Sequence, residues 1–152
     1  MIAVFDLDNC LADDLWRHGM IDNTKEVPFE RFKDYASNSD LDAARNVEQV
    51  LNYKKQGDRI VILTSRSEHY RRITERWLAA NNIPWDLLLM RPHGNTKPTT
   101  EYKVSVLLEH FIFPENVACA YDDRPDIVAA YTAAGFLAQR LFVHDIDYSV
   151  HG

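Results

Sequence analysis

Cysteine is nearly absent from this chain. Cys10 and Cys119 are the only two in 152 residues, which excludes the multi-bridge framework of small secreted domains. Both fall in or beside predicted strands, so buried free thiols and a cytoplasmic setting are expected. Glycine is scarce as well, five in all, and no glycine-rich phosphate loop is present, which leaves nucleotide-driven kinase chemistry unsupported. No apolar run reaches the roughly 18 residues of a membrane span, so no membrane association is expected. The N-terminus lacks the basic segment and long apolar stretch of a signal peptide. Positive charge is in deficit, 17 Lys and Arg against 23 Asp and Glu for a net −6. Any nucleic-acid affinity must therefore come from a local patch. His18, His69, His93, His110, His144 and His151 are scattered, with no His–Cys pair at ligand spacing, which argues against zinc. Repeats, low-complexity tracts and linkers are missing too, so residues 1–152 are expected to form one domain.

What is present is a recurring pattern of apolar runs ending in polar, ligand-bearing residues. Ile2-Ala3-Val4-Phe5 runs into Asp6-Leu7-Asp8-Asn9. Arg59-Ile60-Val61-Ile62-Leu63 runs into Thr64-Ser65-Arg66, and Val117-Ala118-Cys119-Ala120-Tyr121 into Asp122-Asp123-Arg124-Pro125-Asp126. Two carboxylates about 4 Å apart repel by roughly 4 kcal/mol at an effective dielectric of about 20. A metal ion or a shared proton is the usual remedy.

Helical spacing fills the gaps between these strands. Leu41, Ala44, Val47 and Leu51 mark one helix, with Ser39 or Asp40 as its cap and Gly57 as its stop. Tyr70, Ile73, Trp77 and Leu78 mark a second, ending near Asn81-Asn82. Val104, Leu107, Leu108 and Phe111 mark a third. Pro125 opens a fourth, with Ile127, Val128 and Tyr131 inward and Gly135 after it. Further strands are expected at about 86–90 and 137–143. The alternation predicts an α/β fold, a Rossmann-like three-layer sandwich on a five-stranded, mostly parallel sheet. In such sheets ligands bind beyond the carboxyl ends of the strands, which would gather Asp6, Asp8, Thr64, Asp122 and Asp123. Residues of about 10–38, with Trp16, Met20, Ile21, Phe29, Phe32 and Tyr35, form either a small lid insertion or a loop packed on the body.

The chemistry follows from the residue types. Asp6 is the candidate nucleophile, since a carboxylate can attack phosphorus to give an aspartyl phosphate. Asp8 points the same way off the strand and can serve as general acid and then base. Asp6, Asp8, Asp122 and Asp123 offer the hard oxygens that Mg²⁺ prefers. Thr64 either donates to a phosphate oxygen or caps the following helix. Lys103 sits near a helix start, where its charge opposes the helix dipole unless an anionic group offsets it; it is preferred as the site cation over Lys97.

These residues resemble the haloacid dehalogenase superfamily of aspartate-nucleophile phosphatases: Asp6-Leu7-Asp8 is similar to its first motif, Thr64 its second, Lys103 its third and Asp122-Asp123 its fourth. The resemblance implies Mg²⁺, a Rossmann-like fold, Asp6 as nucleophile and Asp8 as acid/base. Cys10 stands where a threonine is usual. Within the superfamily, Leu63-Thr64-Ser65-Arg66, Leu89-Met90-Arg91 and Tyr121-Asp122-Asp123-Arg124 resemble the 3′-phosphatase domain of phage-type polynucleotide kinase-phosphatases. That likeness implies substrate-binding roles for Arg17, Ser65, Arg66 and Arg91, with Thr99 where the group often has an aspartate. The kinase half is missing, so a separate kinase or ligase partner is expected. Arg66, Arg71, Arg72 and Arg76 form either a phosphate-contacting edge or a solvated face with Glu68 and Arg72 paired at helical spacing. His69, Tyr70, Trp16 and Phe29 are candidates to stack bases, Tyr70 also a candidate for the core. The expected function is Mg²⁺-dependent phosphomonoester hydrolysis at nucleic-acid 3′ ends. A 5′-nucleotidase acting on free mononucleotides and a catalytically silent phosphate-binding module are the alternatives.

Overall fold

The computed structural model describes residues 1–18 and 40–147. Along the chain the elements are β1 (Ile2–Phe5), β2 (Ala12–Asp13), α1 (Leu15–His18), β3 (Leu41–Asp42), α2 (Ala44–Lys55), β4 (Arg59–Ser67), α3 (Arg71–Ala80), β5 (Leu87–Arg91), α4 (Thr99–Glu109), β6 (Val117–Asp122), α5 (Pro125–Ala133) and β7 (Ala138–Arg140). Five strands form one sheet in the order β5-β4-β1-β6-β7, and every neighbouring pair is parallel. β2 and β3 pair antiparallel as a separate two-stranded ribbon. Most of the segment expected as a lid, including Met20, Ile21, Phe29, Phe32 and Tyr35, lies outside the described residues, as does the cap candidate Ser39.

Strand alternation divides the core in two. Phe5, Ile60, Ile62, Leu88 and Met90 face Val47, Val50, Trp77 and Leu78. Val4, Val61, Leu63 and Leu89 face Tyr102, Val106, Leu107, Ile127 and Tyr131. A central parallel strand covered on both sides must be apolar throughout, and Ala3, Val4 and Phe5 of β1 are fully buried. Both cysteines are buried and free.

Four helices stop by the same device. In each, the second residue beyond the cap donates to a carbonyl five positions back: Asp58 to Tyr53, Ile83 to Leu78, Ile112 to Leu107 and Phe136 to Tyr131. The residue before it adopts a left-handed φ: Gly57 at 90°, Asn82 at 56°, Phe111 at 58° and Gly135 at 96°. Glycine and asparagine suit that conformation, which is why the stops after α2, α3 and α5 fall where glycine or asparagine predicts them.

Several expected details differ. Leu41 lies in β3, 71% exposed, because pairing with Asp13 and the bond from the Ala43 N–H to the Leu11 carbonyl hold the chain extended there. α2 therefore starts at Ala44 with no side-chain cap. It buries Asn46 beside Val47 and Val50, leaving Leu51 exposed. α4 turns Tyr102, Lys103, Val106 and Leu107 inward, so that Lys103 reaches the site; Leu108 and Phe111 are exposed as a result. The last strand covers only Ala138–Arg140, because the chain beyond Leu141 leaves the sheet to pack on Asn9. Among the described residues no helix is long and apolar enough to cross a membrane.

Candidate active site

The carboxyl ends of β1, β4 and β6 bring the polar residues together. Asp6 directly follows β1, where its N–H donates to the Tyr121 carbonyl at 3.0 Å. Asp122 closes β6 and Asp123 follows it. Asp6, Asp122 and Asp123 each place a carboxylate oxygen within 4.8 Å of the other two, and all three are buried. Lys103, from the second turn of α4, donates to Asp6 Oδ1 at 2.8 Å and to Asp122 Oδ2 at 2.5 Å. Lys97 is exposed.

Fully ionised, three carboxylates and one ammonium sum to −2 in a buried space. Burial pushes the Asp6 carboxyl well up, against the lowering effect of Lys103, and neighbouring Asp123 adds to the rise. Burial and the Asp6 charge push Asp122 up to about 6. For Lys103, burial works against the ammonium, but Asp122 and Asp6 outweigh it and hold the lysine protonated. A divalent cation with hard-oxygen preference is what balances this set. The residues present thus fit a Mg²⁺ ion held by Asp6, Asp122 and Asp123.

Asp8, expected as a fourth metal ligand, is not part of that group. Its carboxylate, 28% exposed, meets Arg66 Nη2 at 2.6 Å and Arg17 Nη2 at 3.0 Å. Both guanidiniums are themselves buried, and both also reach Asp40. Arg17 Nε and Nη2 donate to the two Asp40 oxygens at 2.8 Å each, and Arg66 Nη2 donates at 3.4 Å. The indole of Trp16 donates to Asp40 Oδ1 at 2.7 Å, and that of Trp77 to its main-chain carbonyl at 2.7 Å. Arg66 is further held by Thr74 Oγ1 at 3.2 Å. Two acids and two arginines thus alternate in a buried square whose one accessible corner is Asp8.

Thr64 is 1% exposed and its hydroxyl accepts the Arg66 N–H at 3.1 Å, within the irregular end of β4. Ser65 Oγ donates to Thr99 Oγ1 at 3.4 Å. Arg91 is fully buried, donates to Asn95 Oδ1, the Lys97 carbonyl and Thr99 Oγ1, and lies 4.4 Å over the Tyr102 ring. That places Arg91 as the brace of the loop between β5 and α4. Within that basic cluster Arg71 pairs with Glu68 and Glu75, where the sequence suggested Arg72 as the partner of Glu68.

Asp40 and Asn9 carry more of the site than their sequence positions announce. Asp40 reads as a helix cap in the sequence. The signal for its true place is a surplus: Arg17 and Arg66 together exceed the charge that Asp8 alone can offset. Asn9 takes φ 56° and donates from Nδ2 to Asp123 Oδ2 at 3.0 Å.

The phosphatase-domain model of polynucleotide kinase PNKP matches residues 2–141. The chain belongs to this family. It is accordingly a phosphoric monoester hydrolase of the haloacid dehalogenase type. The fold is similar to that of a chain in the Pnkp1/Rnl/Hen1 RNA repair complex, with a TM-score of 0.76 and 23% identity over 95% of this chain and 43% of that one. It is also similar to a haloacid dehalogenase-like hydrolase from Bacteroides fragilis, with a TM-score of 0.61 and 21% identity, covering 90% and 85%. CbbY from Rhodobacter sphaeroides in complex with phosphate gives a TM-score of 0.66 and 16% identity, covering 97% and 88%. The chain thus spans less than half the length of the repair-complex chain that it matches. No curated protein matches it.

Proposed function

We propose that this phosphatase removes 3′-phosphates from nucleic-acid ends, through an aspartyl phosphate on Asp6 and with Mg²⁺ as cofactor. The observation that carries the reading is the match of residues 2–141 to the PNKP phosphatase domain, supported by the likeness to a chain of an RNA repair complex. Bound at Asp6, Asp122 and Asp123, Mg²⁺ supplies charge neutralisation of the phosphoryl group. Lys103 holds the Asp6 carboxylate in place at 2.8 Å. Asp6 then attacks phosphorus as the bond to the 3′ oxygen breaks, and Asp8, which takes up a proton in the substrate complex, gives that proton to the departing oxygen. In the second step water attacks the phosphorus of the aspartyl phosphate, passes a proton to Asp8 and frees the Asp6 carboxylate as inorganic phosphate leaves. Arg17 and Arg66 fix the Asp8 carboxylate through both oxygens, which serves orientation in both steps. A separate kinase or ligase would act on the healed end.

The test is a panel of 3′-phosphorylated DNA and RNA oligonucleotides against free mononucleotides, in Mg²⁺ and at two salt concentrations. Release of phosphate from oligonucleotides, weakened by salt, is expected. Preference for free mononucleotides would replace this reading with a nucleotidase. Unchanged hydrolysis of an aryl phosphate by Asp6→Asn would remove Asp6 as nucleophile, and no hydrolysis by the wild-type chain would leave a silent binding module.

A further inference from the structure

The C-terminal stretch after β7 crosses back over the loop that follows β1, and the Asn9 side chain joins it to the acid cluster. The Asn9 carboxamide is fixed from both ends. Its Oδ1 accepts the His144 N–H at 2.9 Å, and its Nδ2 donates to the His144 carbonyl at 2.8 Å. The second Nδ2 hydrogen goes to Asp123 Oδ2 at 3.0 Å. The Asn9 main-chain carbonyl accepts the Val143 N–H at 3.0 Å, and its own N–H donates to the Ala12 carbonyl at 2.8 Å. The side chain is 1% exposed.

Two features show that asparagine is chosen chemically here. A left-handed φ of 56° is met most easily by glycine, and asparagine is among the few other residues that adopt it without large strain. Glycine would satisfy the backbone and lose the link. Aspartate has nearly the same shape but would set an acceptor against the Asp123 carboxylate and the His144 carbonyl, with no hydrogen to offer either. Only the amide presents two hydrogens to two oxygens while accepting a third bond.

We infer that Asn9 is a positioning residue that holds Asp123 in register with Asp6 and Asp122, and that the main chain at Val143–His144 is the anchor that orients it. The inference rests on the reading of these three aspartates as a Mg²⁺ site. Outer hydrogen bonds of this kind orient ligating carboxylates, and losing one typically costs about 10–100-fold in metal affinity. The His144 side chain has a different role: its Nε2 lies 3.0 Å from Asp13 Oδ1.

Calorimetric titration with Mg²⁺ alone, on the full chain stripped with chelator, tests this directly, with the thermal transition in chelator as the check on folding. Asn9→Gly and Asn9→Asp are expected to weaken Mg²⁺ uptake by about 10-fold or more, as is His144→Pro, which lacks the N–H that orients the amide. His144→Ala keeps that N–H and is expected to stay within about two-fold of wild type. In turnover, Asn9→Gly should raise the Mg²⁺ concentration for half-maximal rate by the same factor and keep most of kcat at saturating Mg²⁺. A folded Asn9→Gly chain that takes up Mg²⁺ as wild type does would overturn the inference. A wild-type chain that takes up no Mg²⁺ would instead overturn the metal reading beneath it.

Discussion

Arg17 closes on Asp40 through two parallel hydrogen bonds of 2.8 Å, and both side chains are wholly buried. Burial alone pushes the Asp40 carboxyl up, while its bonds to Arg17 pull it down. The pair has functional reach because the same guanidinium touches Asp8, and Arg66 bridges Asp8 and Asp40 again from the other side. Asp40 is therefore the hidden corner that lets two arginines sit around one accessible carboxylate.

Removing that corner leaves two buried cations facing one acid. Breaking a buried pair by deleting one partner costs about 3–5 kcal/mol, so Asp40→Ala should lower the unfolding free energy by about that much in urea melts. Asp40→Asn keeps the shape and part of the hydrogen bonding, so it should fold. Its kcat/KM on an aryl phosphate should still fall by about 10-fold or more, because Asp8 loses its fixed orientation.

The contrast between Asp6 and Asp40 shows what the sequence makes legible. Asp6, Asp122 and Asp123 sit at the ends of continuous apolar runs, so strand periodicity and the open-sheet rule bring them together without coordinates. Lys103 is legible for a related reason: a cation in the early part of a helix implies an anionic neighbour, and Asp6 and Asp122 are that neighbour. Asp40 has no such frame. It lies between a segment of no clear period and α2, and its partners Arg17 and Arg66 are 23 and 26 positions away. Its place is set by tertiary packing through Trp16 and Trp77. Leu41, Leu51 and Phe111 failed for the opposite reason: each fits a helical stripe, but β3 pairing and the inward turn of Lys103 shift which stripe faces the core. Of the resemblance-based arginines, Arg17 and Arg66 converge on Asp8, and Arg91 donates to the β5–α4 loop.

Phe111 offers a test of helix stops alone. It occupies the position filled by glycine or asparagine after the other three helices, with φ 58° and 79% of its surface exposed. Its one ring contact among the described residues is an edge-on approach to Phe113 at 6.3 Å. A bulky residue in the left-handed region costs roughly 1–2 kcal/mol, more than a partly solvated ring contact returns. Phe111→Gly is therefore expected to stabilise the fold by about 0.5–1 kcal/mol, read as a higher urea midpoint with unchanged slope.

Asp86 gives the pH dependence its cleanest probe, since it lies outside the site. It exchanges two bonds with Ile60: its N–H donates to the Ile60 carbonyl at 2.8 Å, and its Oδ2 accepts the Ile60 N–H at 2.8 Å. That backbone bond is the main reason its carboxyl lies below the usual range, with Lys54 assisting. A carboxyl lowered on folding stabilises the native state above its unfolded value, about 3.9, and the contribution is lost as pH falls through the folded value. The stability gap between wild type and Asp86→Ala should therefore be present at pH 6 and shrink towards pH 3. A gap that widened on acidification would contradict the assignment.

Lys103 separates the structural from the catalytic demands on the acid cluster. It is 3% exposed and donates to Asp6 and Asp122 at once. Lys103→Met keeps much of its length and removes the charge, leaving three buried carboxylates without a cation. In chelator this variant should melt well below wild type, because an uncompensated buried charge is strongly destabilising. Added Mg²⁺ binds only the native state and restores stability as RT ln(1 + [Mg²⁺]/Kd), about 2.7 kcal/mol at 100 times Kd. The Mg²⁺-induced rise in Tm should thus be larger for Lys103→Met than for wild type, since the vacated charge strengthens cation uptake. Turnover should nonetheless fall, by about 100-fold or more if Lys103 holds Asp6 for attack. Equal Mg²⁺-induced shifts in the two proteins would mean that the cation and the lysine do not share the same carboxylates.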